Sequence, residues 1–501
     1  MDTENMLAAV DLGSNSFRLT VARIVERDNT FQLYTVDRLK ETVRLAAGLD
    51  DNNYLSKSAI HNAVEVLKRF GERIRNFPPQ NVRVVATNTF RIAQNINDIL
   101  IPAQEALGFP IEIISGQEEA RLVYLGVAHE LPPSDENRLV VDIGGGSTEF
   151  IIGNNLEPKL MKSLTMGCVS FTEKFFPNGN VTAKSFENAQ LAARRVVEVI
   201  SKQYRKMAWV NAYGSSGSAK ALVAVSEATG LSEKGITLKA LKTMKEIIIK
   251  NGSARTDDLL DLKKDRVEVF PAGLAIMLGI FEELKITRMD QGDGALRVGT
   301  LYDLLGRQAA ADKRVESCKQ FMSRYHIDVK QAQRVKELAL KLYDDCAEQL
   351  PETIDEVRNL LGWACDLHEI GLSISQSSYH RHTAYVLENA DMPGFSNSEQ
   401  KKLALLALAH SGKLSKVELD DESEKMRLAI LCIRLATLFL RKRMPLRLNP
   451  ISLQLKNHKI ILRIDAKWLK NNPLTAYSLD LEANEWDKNG YKFEVKPYEE
   501  A

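Results

Sequence analysis

The chain has 501 residues, 44% of them hydrophobic and 27% charged, which excludes a mainly disordered chain and a disulfide-stapled mini-protein. Length alone suggests about three domains, at roughly 150 residues each. Lys+Arg is 67 against Asp+Glu 66, so the net charge is +1; any anion-binding surface must be local, because global charge will not draw nucleic acid or a membrane.

No uninterrupted apolar run approaches the roughly 18 residues of a membrane span. The acidic start Met1-Asp2-Thr3-Glu4-Asn5 is not the basic region of a signal peptide. Cys168, Cys318, Cys346, Cys365 and Cys432 are odd in number and form no C-x-x-C pair, so neither a disulfide framework nor a zinc site is indicated. The expectation is a cytoplasmic protein, free or peripheral to the membrane, with no integral membrane segment.

In chain order, the first element is half of a repeat. Residues 8–16 (AAVDLGSNS) and 139–147 (LVVDIGGGS) align at a constant offset of 131, which superposes Asp11, Gly13 and Ser16 on Asp142, Gly144 and Ser147. Each copy is an apolar run, Asp-aliphatic-Gly, a small polar turn and a second apolar run. That pattern predicts strand, tight turn, strand, with glycines where φ is positive or a ligand approaches closely. Two such hairpins suggest two related α/β lobes facing one another. Between them, 82–87 and 111–114 read as short buried strands, and 56–76, 96–107 and 116–127 as helices. This alternation implies a largely parallel sheet. A proline-containing loop at 131–137 separates the lobes. Helices follow at 183–206, 216–229 and 237–250, then a turn at 290–294. After about residue 306 helical periodicity dominates, at 331–348, 353–370, 397–411 and 426–443. Strand signals return at 451–455 and 459–464.

Several constellations carry chemistry. Backbone N–H groups of a Gly/Ser/Asn turn can cradle phosphate oxygens, and the Asp at each strand end can hold a divalent cation. Two ordinary β-turns would have no need to match at Asp, Gly and Ser together. In Ser115-Gly116-Gln117-Glu118-Glu119-Ala120-Arg121, acids at a helix start are favoured by the helix dipole. The sharper reading is that one carboxylate faces the interlobe cleft and deprotonates water. Glu149 is a second candidate carboxylate for metal or water. Arg91, closing the 82–87 strand, is a candidate phosphate donor, and Gly214–Ser218 a weaker third phosphate contact. His326, His368, His380, His382 and His410 invite a metal site, but acidic ligands at convincing spacing are missing. The run 425–447 holds Lys425, Arg427, Arg434, Arg441, Lys442, Arg443 and Arg447 with no acid, and reads as a solvated basic face or a track for a polyanion.

These stretches closely resemble the exopolyphosphatase/guanosine pentaphosphate phosphatase family, within the actin-like, sugar-kinase and Hsp70 ATPase superfamily. The matching segments are AVDLGSNSFRL (9–19), RLAAGL (44–49), VVATNTFRIA (84–93), IEIISGQEEARLVYLGV (111–127), VVDIGGGSTEF (140–150), MGCVSF (166–171), FPAGLAI (270–276), LHEIGLSIS (367–375) and HRHTAYVL (380–387). The resemblance implies an α/β fold of two duplicated actin-like (ribonuclease H-like) lobes, 1–124 and 125–306, with the active site in the cleft between them. A mostly α HD-like domain (307–447) and a small C-terminal α/β domain (448–501) follow. It implies Glu119 as catalytic base, and Asp142 and Glu149, with Asp11, as holders of Mg²⁺ or another divalent cation; K⁺ is a further candidate. Gly13, Ser14, Asn15 and Ser16, with Gly144, Gly145, Gly146 and Ser147, become the phosphate loops, and Arg91 a phosphate ligand. A working HD domain has His-Asp where this chain has His368-Glu369, so the helical domain is expected to hold a polyphosphate chain, along His380, Arg381, His382, Arg434, Arg441 and Arg443, with homodimerisation extending the channel. The favoured activity is processive exopolyphosphatase. The alternative is guanosine pentaphosphate (pppGpp) 5′-phosphohydrolase, which RLAAGL and residues 331–336 favour and DIGGGSTE and HRHTAYVL do not. A polyphosphate or nucleotide sensor is the non-enzymatic alternative, which intact Glu119, Asp142 and Glu149 oppose. Nucleic acid is not an expected partner, since the basic stretch lacks interleaved aromatics.

Overall fold

The structure is a computed structural model that describes residues 5–27, 30–308, 312–347, 356–419, 422–446, 451–456 and 458–499. It divides into two compact units, Met1–Lys313 and Arg314–Ala501. Among the described residues no helix is long and apolar enough to cross a membrane.

In the first unit, β1 (Met6–Leu12), β2 (Ser16–Arg27), β3 (Thr30–Thr42), β4 (Val82–Ala86) and β5 (Glu112–Ile113) form one sheet in the order β3-β2-β1-β4-β5. β6 (Arg138–Ile143), β7 (Thr148–Asn154), β8 (Glu157–Leu164), β9 (Asn211–Gly214), β10 (Ile236–Thr237) and β11 (Arg288–Gln291) form the second, in the order β10-β11-β9-β6-β7-β8. Strands β8-β7-β6-β9-β11 repeat β3-β2-β1-β4-β5 in order and direction, with antiparallel hairpins on one side and parallel crossovers on the other. The duplication therefore covers the whole sheet, and β10 is an added edge. The central strands β1 and β6 are almost continuously apolar and buried, as strands covered on both faces must be.

Four elements depart from the sequence reading. The expected turn at 290–294 begins as β11, whose Asp290 and Gln291 pair with Tyr213 and Gly214; a four-residue strand of mostly polar side chains gives no periodic signal. The Phe270–Leu284 helix is buried nearly all round, so it lacks the apolar–polar alternation that betrays a helix. Its Gly279 lets the Ala183–Met207 helix approach, since a Cβ there would come 2.9 Å from the Ala193 Cβ. Strands β3 and β8 lie outermost or nearly so and are rich in charge, which protects an edge but hides a strand.

The second unit has one hydrophobic core. Helices Val329–Ala347, Glu356–Leu367, Asn397–Ala409 and Glu424–Phe439 share it with a three-stranded sheet of β12 (Ser452–Lys456), β13 (Lys459–Asp465) and β14 (Lys492–Tyr498), through Leu453, Ile460, Leu462 and Phe493. The C-terminal strands are thus a wing of the helical body. The Glu424–Phe439 helix runs through its centre, with Lys425 and Arg434 buried.

Candidate active site

The two hairpins close with matching register. Leu12 pairs with Phe17 and Ile143 with Thr148, which leaves the turns Gly13–Ser16 and Gly144–Ser147. They meet face to face, since a Cβ on Gly145 would lie 2.9 Å from the Ser14 Cβ and one on Gly146 2.5 Å from Asn88 Oδ1. None of Gly13, Gly144, Gly145 or Gly146 sits in the left-handed region, so close approach, and not backbone handedness, demands glycine here. Behind the second turn, the Cys168, Val169 and Ser170 N–H groups donate to the Gly144 and Gly145 carbonyls and hold the loop from below. On the first, Thr89 Oγ1 donates to Ser14 Oγ at 2.8 Å.

Between the turns lies a cavity of about 120 Å³, bordered by both loops, Asp11, Glu119, Asp142, Glu149, Ser215 and the guanidinium groups of Arg18 and Arg266. Glu119 arrives on the Gly116–Glu130 helix, which Ser115 caps by accepting from the Glu118 N–H at 3.1 Å. Asp142 and Glu149 are directly opposed across β6 and β7. The same register in the first lobe opposes Asp11 to Arg18, 131 residues earlier. Ser215 Oγ donates to Asp142 Oδ2 at 2.6 Å, and Ser163 Oγ to Glu149 Oε1 at 2.8 Å.

Four carboxyls so enclosed resist ionisation. Burial pushes Asp11 up to about 6, against the pull of Arg18 and Arg297. Burial pushes Glu119 up to about 7; Arg91 opposes this, and the charges of Asp11 and Asp142 add to it. Burial raises Asp142 too, opposed by its hydrogen bond from Ser215. Glu149 is raised well above the usual carboxylate range, by burial and then by the charges of Glu119 and Asp142. Like charges opposed on neighbouring strands destabilise a sheet, and fold stability gives no reason to keep them. Hard carboxylate oxygens are the donors a Mg²⁺-class cation takes, and such a cation would relieve the repulsion. Among the described residues no three His, Cys, Asp or Glu side chains converge to hold a metal by themselves. The donor set therefore fits a cation that one or two carboxylates share with a phosphate, as Mg²⁺ usually binds.

The comparisons with known proteins agree with this geometry. Residues 20–308 match the model of the Ppx/GppA phosphatase family, and 314–483 that of Ppx/GppA phosphatase, domain III. A guanosine-5′-triphosphate,3′-diphosphate pyrophosphatase of Pseudoalteromonas translucida is 39% identical over 495 residues, 98% of either chain. This chain belongs to the Ppx/GppA phosphatase family. Among solved structures, the Aquifex aeolicus Ppx/GppA family member is 25% identical with a TM-score of 0.50, covering 60% of this chain and 98% of that one. An exopolyphosphatase from Cytophaga hutchinsonii shares the fold, with 21% identity and a TM-score of 0.52, covering 60% and 97%.

Within this Ppx/GppA chain, Glu119, Asp142, Glu149, Asp11 and both loops come together on one cavity. Arg91 stands apart from the lining. Its Nη1 donates to the Ile114 carbonyl at 2.7 Å and to Glu119 Oε2 at 3.1 Å, so it holds the carboxylate. The cations on the cavity are Arg18 and Arg266, which sequence reasoning passed over. Arg18 is the repeat partner of Glu149, a signal present in the offset of 131; Arg266 lies outside every motif. Both also border a second cavity of about 340 Å³, with Lys40, Lys220, Lys263, Asp261 and Asp265.

The expected polyanion track in the second unit is corrected in part. Arg434 is 5% exposed, donates through Nε and Nη2 to Glu482, and bonds the Ala409 and Gly412 carbonyls. Charge composition placed it on a surface, whereas its helix is a core element. Arg443 is exposed but paired with Glu369 and Asp328, and Arg441 Nη1 donates to Ser478 Oγ at 2.6 Å. Arg381 is exposed, and His380 and His382 are partly buried; Arg447 lies outside the described residues. The histidines far apart in sequence do gather. The His368 and His410 rings sit 5.2 Å apart, His380 and His410 6.4 Å, and His410 Nε2 bonds the Tyr379 hydroxyl at 3.0 Å.

Proposed function

We propose that this protein hydrolyses the terminal phosphate of a guanosine pentaphosphate, releasing orthophosphate and the tetraphosphate. The observation that carries this reading is the 39% identity along the full length of a guanosine-5′-triphosphate,3′-diphosphate pyrophosphatase. The second cavity supports it. A nucleotide with a phosphate group beyond the triphosphate needs cations beyond the catalytic cleft; Lys263 lies next to Arg18 and Arg266, with Lys40 and Lys220, which pair with Asp265 and Asp293 and would exchange those partners for phosphate.

In this reading the amides of Gly13–Ser16 and Gly144–Ser147 take the oxygens of the terminal phosphoryl group. Glu119 accepts a proton from a water placed on the far side of phosphorus. The water oxygen bonds to phosphorus, the bridging P–O bond breaks, and the tetraphosphate leaves with that electron pair. A carboxylate poised near neutrality is well matched to the proton transfer, and Arg91 fixes its orientation. Asp142 and Glu149, or one of them with Asp11 across the cleft, are the residues that would hold Mg²⁺, which supplies positive charge against the phosphoryl oxygens when bound.

Inorganic polyphosphate is the second reading, because the same row of cations suits successive phosphates of a chain. Phosphate release with Mg²⁺ from guanosine pentaphosphate and from long-chain polyphosphate, at matched terminal-phosphate concentrations, separates the two. Faster release from the nucleotide is expected; faster release from polyphosphate without short intermediates would replace this reading by processive exopolyphosphatase. Glu119→Gln is expected to lower kcat by about 10²- to 10⁴-fold on whichever substrate is used.

A further inference from the structure

The helix that carries Glu119 is held from behind by a buried charge network. Glu118 and Arg121 face away from the cleft. Arg121 Nε and Nη2 donate to the two oxygens of Glu118 at 2.7 and 2.8 Å, and Nη2 also donates to Asp303 Oδ1. Asp303 Oδ2 accepts from Arg83 on β4 and from Arg307 Nε at 3.1 Å. Arg83 reaches Glu112 on β5 at 3.0 and 3.1 Å and lies 3.6 Å from Glu118. Three guanidinium groups thus face three carboxylates in the protein interior, with Glu118 0%, Arg83 2% and Asp303 7% exposed.

Asp303 is the joint of this network. It lies on the Leu296–Gln308 helix, which follows β11 of the second sheet yet packs against the Gly116–Glu130 helix and against β1 and β4 of the first. Two helix-to-helix fastenings result. At one, Gly126 and Gly299 bring the backbones together, because a Cβ on Gly299 would overlap the Leu122 carbonyl. At the other, Asp303 joins Arg121 of the helix to Arg83 of the sheet. Burial alone would raise the Asp303 carboxyl, but Arg121, Arg83 and Arg307 hold it well below the usual range.

We propose that Asp303 is a positioning residue for the hydrolysis, which sets the aim of Glu119 through Arg121 and the turn that begins the helix. The proposal rests on Glu119 being the base. Glu119 stands about 7 Å along the helix from the middle of the glycine crossing, which runs from Leu122 to Gly126. Without Asp303, Arg83 and Arg121 would repel each other and compete for Glu118, loosening that end while the crossing stays fixed. A tilt of about 8° about the crossing would then carry Glu119 by about 1 Å, a misplacement that can cost about 100-fold in rate. Buried ion pairs are weak contributors to net stability, so orientation is the better account of why six charges are kept under one carboxylate.

The test compares Asp303→Asn with Leu301→Ala, a neighbour on the same helix that is buried against β1 outside the network. Both are assayed with Mg²⁺ on guanosine pentaphosphate and on polyphosphate, and each is referred to the unsubstituted enzyme on the substrate it turns over. Asp303→Asn is expected to lower kcat about 10- to 100-fold with KM within about threefold, while Leu301→Ala lowers the melting temperature and leaves kcat within about threefold. Should Asp303→Asn not fold, Arg121→Lys keeps the charge count but loses the planar fork, and the same split in kcat is expected. Unchanged kcat in the folded variant, or parallel losses in Asp303→Asn and Leu301→Ala, would overturn the proposal. Glu119→Gln run alongside isolates the premise: if it retained turnover, the base assignment would fail, and this proposal with it.

Discussion

Arg266 lies against Gly217 and borders both the catalytic cleft and the basic cavity beside it. A guanidinium there can span the terminal phosphate and the groups behind it, whereas an amide cannot. Arg266→Gln should raise KM for guanosine pentaphosphate by about 10-fold or more, since a charged hydrogen bond is worth about 1.5–3 kcal/mol, as initial-rate measurements over a range of substrate would show. Individual site residues differed in how plainly the sequence announced them. Asp142, Glu149 and the two loops stand in a repeat, and Glu119 in a motif at a helix start. Arg18 is marked only by its place in the repeat opposite Glu149, and Arg266 comes from a position with no local pattern, so that only the fold delivers it to the cavity. Arg434 shows the converse, because a run of basic residues says nothing about which of them a core helix will bury beside Glu482.

Among the elements, the Gly116–Glu130 and Leu296–Gln308 helices cross with their backbones unusually close. Gly126, Gly294 and Gly299 all lie where a Cβ would overlap backbone atoms. Gly299→Ala is expected to destabilise the first unit by about 1–3 kcal/mol or more, the scale of overpacking a tight interior. A fall in its melting temperature would record this, and an unchanged one would mean that the helices can part without cost. The strands of both hairpins were legible because their apolar runs repeat. The Phe270–Leu284 helix was not, because a helix wrapped on every side has no polar face to mark its period.

For the whole molecule, the two units carry separate cores and separate pH sensitivities. Burial pushes His368 below its ordinary value, and burial together with the charges of its neighbours pushes His410 well below. Both rings are therefore neutral in the folded second unit, while in the unfolded chain they take up protons below about 6.5. The stability they contribute is present above about pH 6.5 and is lost as pH falls from there towards the folded values. The loss should run at about 1.4 kcal/mol per histidine for each pH unit in that window. Trp363, Trp468 and Trp486 lie in the second unit and only Trp209 in the first, so denaturant unfolding followed by tryptophan fluorescence reads mainly the sensitive half. A midpoint that did not move between pH 7.5 and 5.5 would mean that the histidines are solvated in the native state. A cleft with true two-fold symmetry would offer the same surroundings to either end of a phosphoanhydride and would hold it in both senses. The repeat departs from that at several equivalent positions, and within residues 8–18 and 139–149 the charge changes at one of them, so that Asp11 faces Arg18 in one half and Asp142 faces Glu149 in the other. One hairpin sets an acid against a guanidinium and the other sets two acids against each other, so the cleft has a polarity. A phosphoanhydride lying there would meet different charges at its two ends, so its two senses of binding would differ in energy.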